Sequence, residues 1–176
     1  LVMTTEILRN ISDEPSAKAH QWELEEVGDE MRDIQQRIVA SAEKTIAEAT
    51  HSRAPFAVTV QNVSRFKSIN DSLGHEVGDE LLRMLSQRLA GVLARGDLLG
   101  RLAGDEFVVL GCVGTGPIAA EVTIETIFAA LREPFSINGH DIEVSVSAGI
   151  SMFPEHGATF DVLLRRAETA MRAARS

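Results

Sequence analysis

The feature that most constrains the fold of this chain is a pair of tight reversals between short apolar stretches. The first, Ala103 to Glu106, separates Asp97 to Leu102 from Phe107 to Leu110. The second is Asn138-Gly139, a dipeptide that favours the two-residue turn of a β-hairpin. Because hairpins join antiparallel strands, the chain cannot fold around a purely parallel sheet.

Apolar periodicity on either side of the reversals predicts the remaining elements. Phe56 to Val63 is typical of a buried strand, and Ile142 to Ile150 of a strand with one solvent-exposed face. Asn70 to Gly74 is predicted to be a loop, and Gly96 to end the helix that follows it. Apolar residues at helical spacing predict three helices, over about 81–93, 117–131 and 159–175. The order β, α, β, β, α, β, β, α indicates an α+β fold, an α/β sandwich whose central, mostly antiparallel or mixed five-stranded sheet is flanked by helices.

The N-terminal part is predicted to be one long helix, from Asp13 to Thr50, that forms a helical stalk. Its apolar residues recur at alternating intervals of three and four, as in a two-stranded coiled coil: Leu24, Val27, Met31, Ile34 and Ile38. Two interpretations stay open, a dimerising coiled coil and a helix that packs back on its own domain. Residues 1–12 are predicted to be a linker and 54–176 the globular domain.

Composition excludes several classes of function. With 176 residues and 44% hydrophobic content, the chain has enough material for one domain plus an additional helix. Its net charge of -9, with no cluster of basic residues, opposes binding to nucleic acids or anionic lipid. No apolar stretch approaches the length of about 20 residues that a membrane-spanning helix needs. A single cysteine, Cys112, leaves no internal disulfide. We therefore expect a cytoplasmic domain.

Two carboxylates stand at the tip of the first reversal. Gly104 permits a tight turn there, and Asp105 and Glu106 offer the hard oxygen ligands that Mg²⁺ prefers. Upstream, residues 65–79 read Arg-Phe-Lys-Ser-Ile-Asn-Asp-Ser-Leu-Gly-His-Glu-Val-Gly-Asp. The FKxIND, GHxxGD and AGDEF elements, in this order, resemble the GGDEF family of diguanylate cyclases over roughly residues 54–175.

The resemblance implies a palm-like cyclase fold and a homodimer in which each domain holds one GTP with Mg²⁺. Each ribose 3'-hydroxyl attacks the α-phosphate of the other nucleotide, and two such steps give cyclic di-GMP and pyrophosphate. By the motif match, Asn70 and Asp79 recognise guanine and His75 lies nearby. Asp105 would ligate Mg²⁺ and serve as the base, with Glu106 as the neighbouring catalytic carboxylate.

The resemblance also implies substrate contacts by Phe66 and Lys67, and contacts with the phosphates by the turn at Ala103 and Gly104 and by Arg175. Taken without it, two of the motif residues have ordinary structural explanations. Asn70 suits a turn, and Asp79 suits the first turn of a helix, where the helix dipole favours an acid.

The sequence departs from the family at its metal site. The family's Asp-x-Asp reads Asn62-Val63-Ser64 here, so both acids are missing. Asn62 keeps an oxygen without charge and Val63 offers a backbone carbonyl, which leaves Asn62, Val63 and Asp105 as the candidate ligands. Ala103 replaces the first glycine of the turn, a change that matters only if the backbone there needs positive φ or close contact with phosphate.

Two further family motifs are altered. Ala94 replaces the leading arginine of the product-inhibition motif RxxD, whose aspartate corresponds to Asp97. Residues 29–37 replace the motif DxLTGLxNR and lack its glycine, so the N-terminal helix is predicted to continue without a break.

These observations predict a degenerate, AGDEF-type GGDEF domain of a longer bacterial signalling protein. It would be weak or inactive as a cyclase and would act as a GTP-sensing or dimerising module, with an upstream sensor and a downstream EAL-type phosphodiesterase domain as possible neighbours. The alternatives are an active diguanylate cyclase and a dimerisation scaffold without a ligand.

Overall fold

A computed structural model of the protein describes residues 24–52, 54–94, 96–111 and 117–174. The predicted linker 1–12, the predicted helix start at Asp13, Cys112 and Arg175 lie outside the described residues. The described part contains five helices and six strands, in the order α1 (Leu24–Ser52), β1 (Phe56–Val63), α2 (Phe66–Leu73), α3 (His75–Val92), β2 (Leu98–Ala103), β3 (Glu106–Gly111), α4 (Pro117–Ala130), β4 (Phe135–Ile137), β5 (His140–Ile142), β6 (Val146–Phe153) and α5 (Phe160–Ala174).

The main sheet is antiparallel, with strand order β2-β3-β1-β6. The predicted α+β class is thus confirmed, but the sheet has four strands, and β4 and β5 form a separate hairpin across Asn138-Gly139. The strand predicted from Ile142 to Ile150 is interrupted at residues 143–145. There the Ser145 carbonyl accepts a hydrogen bond from Ser64 N at 2.8 Å, outside the ladder. The alternating pattern therefore spans two strands that belong to different sheets.

Strand β1 lies at the centre of the molecule, and all eight of its residues are buried. One face of the sheet packs on α3 and α4, where Val63, Phe107 and Leu81 belong to one core cluster. The opposite face packs on α1 and α5, where Val60 and Leu163 belong to a second cluster. A strand covered on both faces is apolar throughout, which is why its bounds were predictable from sequence.

Helix α2 corrects a sequence prediction, because its second half was expected to be a loop. Residues 70–73 have the polar composition of a turn. They are helical because Phe66, Ile69 and Leu73, spaced three and four apart, pack against the core cluster beneath α3. Helix α3 also ends earlier than predicted, at Val92. Gly96, with φ of 103°, belongs to the turn that follows.

Helix α1 runs unbroken through residues 29–37, as predicted. Of the five residues with coiled-coil spacing, the side chain is described only for Ile38, which is fully buried against its own domain together with Ala42 and Ala49. The next residue, Val39, is 40% exposed. At this position the helix packs back on the domain. No helix within the described ranges is long and apolar enough to cross a membrane.

Candidate functional site

The acidic turn connects β2 to β3 beside the end of β1. Gly104 has φ of 48°, and a Cβ placed there would meet nothing within 4 Å, so glycine is needed for the backbone conformation and faces open space. Among the described non-glycine residues, only Arg65 and Asn138 have positive φ. Ala103 therefore replaces glycine without backbone strain. The AGDEF turn retains the shape that its sequence predicted.

Backbone carbonyls of the turn are held by donors from neighbouring strands. Val63 N donates to the Asp105 carbonyl at 3.1 Å, and Arg101 Nε donates to the Gly104 carbonyl at 2.6 Å. These bonds fix the main chain on which Asp105 and Glu106 are carried. The side chain of Asp105 takes part in neither bond.

Asn62 lies on β1, between strands β3 and β6. It pairs with Glu106 of β3 on one side and with Ser147 of β6 on the other. Asn62 is buried, with an exposure of 5%, and its side-chain Oδ1 has no hydrogen-bond partner among the described residues. Buried polar atoms are almost always paired, so an oxygen without a protein partner is a candidate acceptor for water or ligand for a cation. The predicted cluster of Asn62, Val63, Asp105 and Glu106 is brought together.

The two predicted base-recognition residues lie on adjacent helices. Asn70 of α2 packs over Gly78 of α3, where a Cβ would lie 1.8 Å from Asn70 Oδ1 and 3.2 Å from the Phe66 ring. The glycine is thus required for the close approach of α2 to α3. Asn70 Oδ1 is buried without a partner, and Asp79, the residue after Gly78, is exposed. Asn70 thus contacts the residue that precedes Asp79, and an amide together with a carboxylate matches the donors and acceptor of a guanine edge.

Arg101 links the two groups of residues electrostatically. Burial lowers the pKa of its guanidinium, and the negative charges of Asp79 and Asp105 partly offset this effect. One cation thus interacts with both carboxylates, Asp79, which was predicted to recognise the base, and Asp105, which was predicted to bind the metal. Arg101 was not among the predicted site residues, although an arginine two residues before the Ala-Gly turn is a signal that the sequence contains.

The other predicted site residues are placed differently. His75 and Lys67 are exposed, at the start of α3 and on α2, while Phe66 is half-buried and packs on the core. Arg65, the N-cap of α2, makes no side-chain capping bond, so the first amides of this helix have no side-chain cap.

A groove of about 860 Å³ adjoins the end of β1. It lies between α2 and residues 143–147 and is rich in hydroxyl groups, which come from Ser64, Ser68, Ser72, Ser145 and Ser147. Ala174, the last residue of α5, also lines the groove. Asn70, Asp79 and Asp105 do not line it. The groove therefore adjoins Ser64, which stands where the family has its second acid, and not the residues predicted to recognise the base.

Comparison with known proteins decides the family. A family model described as "Diguanylate cyclase, GGDEF domain" matches residues 29–176. The chain belongs to the GGDEF family. The resemblance predicted from the motifs is therefore confirmed, and the match begins within α1, well before residue 54.

This GGDEF domain is 40% identical over 115 residues to the Signaling protein YkoW of Bacillus subtilis, and 35% identical over 120 residues to the Cyclic di-GMP phosphodiesterase NbdA of Pseudomonas aeruginosa. These matches cover 65% and 68% of the chain but only 14% and 15% of the two proteins. The crystal structure of the GGDEF domain of TpbB from Pseudomonas aeruginosa is similar, with a TM-score of 0.76 and 34% identity over 78% of this chain and 86% of that one.

Proposed function

We propose that this GGDEF domain binds guanine nucleotide, has weak or no diguanylate cyclase activity, and acts as a nucleotide-sensing or dimerising module of a cyclic di-GMP signalling protein. One observation carries the proposal. Asn62, at the metal site, is uncharged and its buried Oδ1 has no partner, whereas Asn70 and Asp79 retain the chemistry to recognise guanine. The nucleotide base would be recognised while the anchor of its phosphates is weakened.

The oxygens at the end of β1 fit one hard divalent cation. Asp105 and Glu106 would supply the charge, and Asn62 Oδ1 a neutral ligand. No group of three His, Cys, Asp or Glu side chains suited to a metal occurs among the described residues. Bound Mg²⁺ would neutralise charge on the triphosphate. Because Mg²⁺ depends on carboxylates to compensate its hydration, the loss of acids at positions 62 and 64 weakens the site.

The relatives support a place in cyclic di-GMP signalling. NbdA is named a cyclic di-GMP phosphodiesterase, and the matched region is a small part of its length. We infer that this domain works as a homodimer beside an upstream sensor and a downstream EAL-type phosphodiesterase domain. GTP held at Asn70 and Asp79 would then regulate the neighbouring domain.

The test is a GTP titration with and without Mg²⁺, followed by product analysis of the same sample. We expect GTP to bind in both conditions, with a small gain from Mg²⁺ and little cyclic di-GMP. Asn62→Asp should increase both the effect of Mg²⁺ and turnover, because it restores a charged ligand. Asn138→Asp adds the same charge at an exposed turn far along the chain and should change neither. Absence of binding at millimolar GTP would contradict the proposal.

An active cyclase is the second candidate, and the geometry of the turn favours it. Ala103 causes no backbone strain, and the carbonyls of Gly104 and Asp105 both accept hydrogen bonds that hold the turn. In that case the wild-type domain should convert GTP to cyclic di-GMP at a rate that Asn62→Asp barely changes.

A further inference from the structure

Strand β2 contains an irregularity just before the acidic turn. Arg101 pairs with Phe107 and Ala103 with Glu106, so β2 advances two residues while β3 advances one. Leu102 is the extra residue of a β-bulge, which removes its backbone from the regular ladder. Bulges often lie beside functional sites, where they redirect the following residues. Here the residues that follow are Ala103 to Glu106.

The carbonyl of this bulge is bound by helix α1. Gln35 Nε2 donates to the Leu102 carbonyl at 2.5 Å. Together with the bonds from Arg101 to Gly104 and from Val63 to Asp105, it makes a third donor to the carbonyls of the hairpin tip. The three donors come from three elements, α1, β2 and β1. Only the bond from α1 involves a helix that precedes the sheet.

A second contact fixes the position of α1 along the same strand, β2. Gly100 of β2 has no side chain, and the space is filled by Ile38, one helical turn after Gln35. A Cβ at Gly100 would lie 2.5 Å from Ile38 Cδ1 and 2.7 Å from its Cγ1. Because Ile38 is fully buried, α1 cannot slide along β2 without repacking the core.

From these contacts we propose that Gln35 is a positioning residue for the acidic turn, with Ile38 setting the register that brings it to Leu102. The inference rests on the proposed function, because the turn is where Asp105 would meet a metal-bound phosphate. A shift of α1 would release the Leu102 carbonyl, and the turn would lose one of the bonds that hold its main chain. The position of the helix is thereby communicated to the candidate metal site within a single domain.

Two adjacent glutamines provide a matched test. Gln35→Glu keeps the size of the side chain but replaces its donor with a carboxylate, which repels the Leu102 carbonyl. Gln36→Glu makes the same change at an exposed position. The first readout is hydrogen exchange of the Val63 amide, which donates to the Asp105 carbonyl. We expect about tenfold faster exchange in Gln35→Glu, a size typical of a lost hydrogen bond, and no change in Gln36→Glu.

The second readout separates positioning from general loosening. Gln35→Glu should weaken binding of Mg²⁺-GTP several-fold and leave binding of guanosine, which has no phosphates, unchanged. Gln35→Ala, which lacks the donor without adding charge, should behave in the same direction. Equal Val63 exchange in the Gln35 and Gln36 variants would overturn the proposal, as would equal weakening of both ligands. If the wild-type domain binds no GTP, the proposed function fails, while the exchange comparison still decides the role of Gln35.

Discussion

At the scale of single residues, Gly78 matters because the side chain of Asn70 occupies the space where its Cβ would be. Gly78→Ala places that atom 1.8 Å from Asn70 Oδ1, and the amide, which is the end of a flexible side chain, must swing away. We expect the affinity for GTP, measured by calorimetry, to fall at least about tenfold, since a base-recognition group would be misplaced.

Gly91 provides the control for this change, because it lies on the same helix. A Cβ there would meet nothing within 4 Å. Gly91→Ala should leave GTP affinity unchanged and stabilise the domain by about 0.5–1 kcal/mol, since alanine favours a helix over glycine. Equal GTP affinities in the two alanine variants would show that Asn70 does not contact the base.

Single residues also show how far sequence reasoning extends into the site. The cluster of Asn62, Asp105 and Glu106 was predictable because its members stand in motifs of fixed spacing. Gln35 was not, since its importance arises from a bulge 67 residues away that no periodicity reveals. The orphaned Oδ1 of Asn62 was likewise invisible, because burial of one polar atom depends on strands from both sides.

At the scale of elements, Arg88 joins α3 to the end of α4 and to β4. Its guanidinium lies 3.6 Å from the centroid of the Phe135 ring and donates to the carbonyls of Ala130, Glu133 and Pro134. Carbonyls at a helix end lack partners within the helix, so one planar cation stabilises the whole connection.

We therefore expect Arg88→Ala to lower the free energy of unfolding by about 1–3 kcal/mol in urea titrations. Arg172→Ala is the matched control, because this arginine is exposed and forms a surface ion pair with Glu168 one turn earlier. Its removal should change stability by less than about 0.5 kcal/mol. Similar losses in the two variants would mean that the contacts of Arg88 do not stabilise the fold.

The contact between α1 and β2 predicts coupled mutations. Gly100→Ala forces an atom into Ile38, and overpacking of this kind costs about 1–3 kcal/mol. Ile38→Ala vacates the space, so adding Gly100→Ala to it should cost much less than in the wild type. A double-mutant cycle by chemical denaturation measures the difference. Additive effects would show that the two residues do not share this space.

Elements were predictable to the extent that their own residues determine them. Strand β1 and the Asn138-Gly139 hairpin match their predictions because burial on both faces and turn chemistry are local signals. Helix α2 was missed because its polar residues favour a turn, while three core contacts with other elements stabilise the helix. The break at residues 143–145 was missed because the alternating pattern continues across it.

At the scale of the whole molecule, α1 forms part of the core. Its buried residues Ile38, Ala42 and Ala49 share a core cluster with Phe56 of β1 and Phe160 of α5. A fragment of residues 24–176 should unfold cooperatively on heating. A fragment of residues 54–176, the domain boundary that the sequence predicted, should expose this cluster, bind hydrophobic dyes and aggregate. Identical melting temperatures for the two fragments would contradict this prediction.

The bonds to carbonyls in the hairpin tip have an evolutionary consequence. Main-chain oxygens are the same in every amino acid, so substitutions of Asp105 and Glu106 leave these bonds in place, whereas Gly104, Arg101 and Gln35 are needed for the path of the chain. A domain that loses acidic residues here keeps the backbone conformation that carried them. Restoring an acid then requires a change of side chain only, because the backbone that would carry it is already in place.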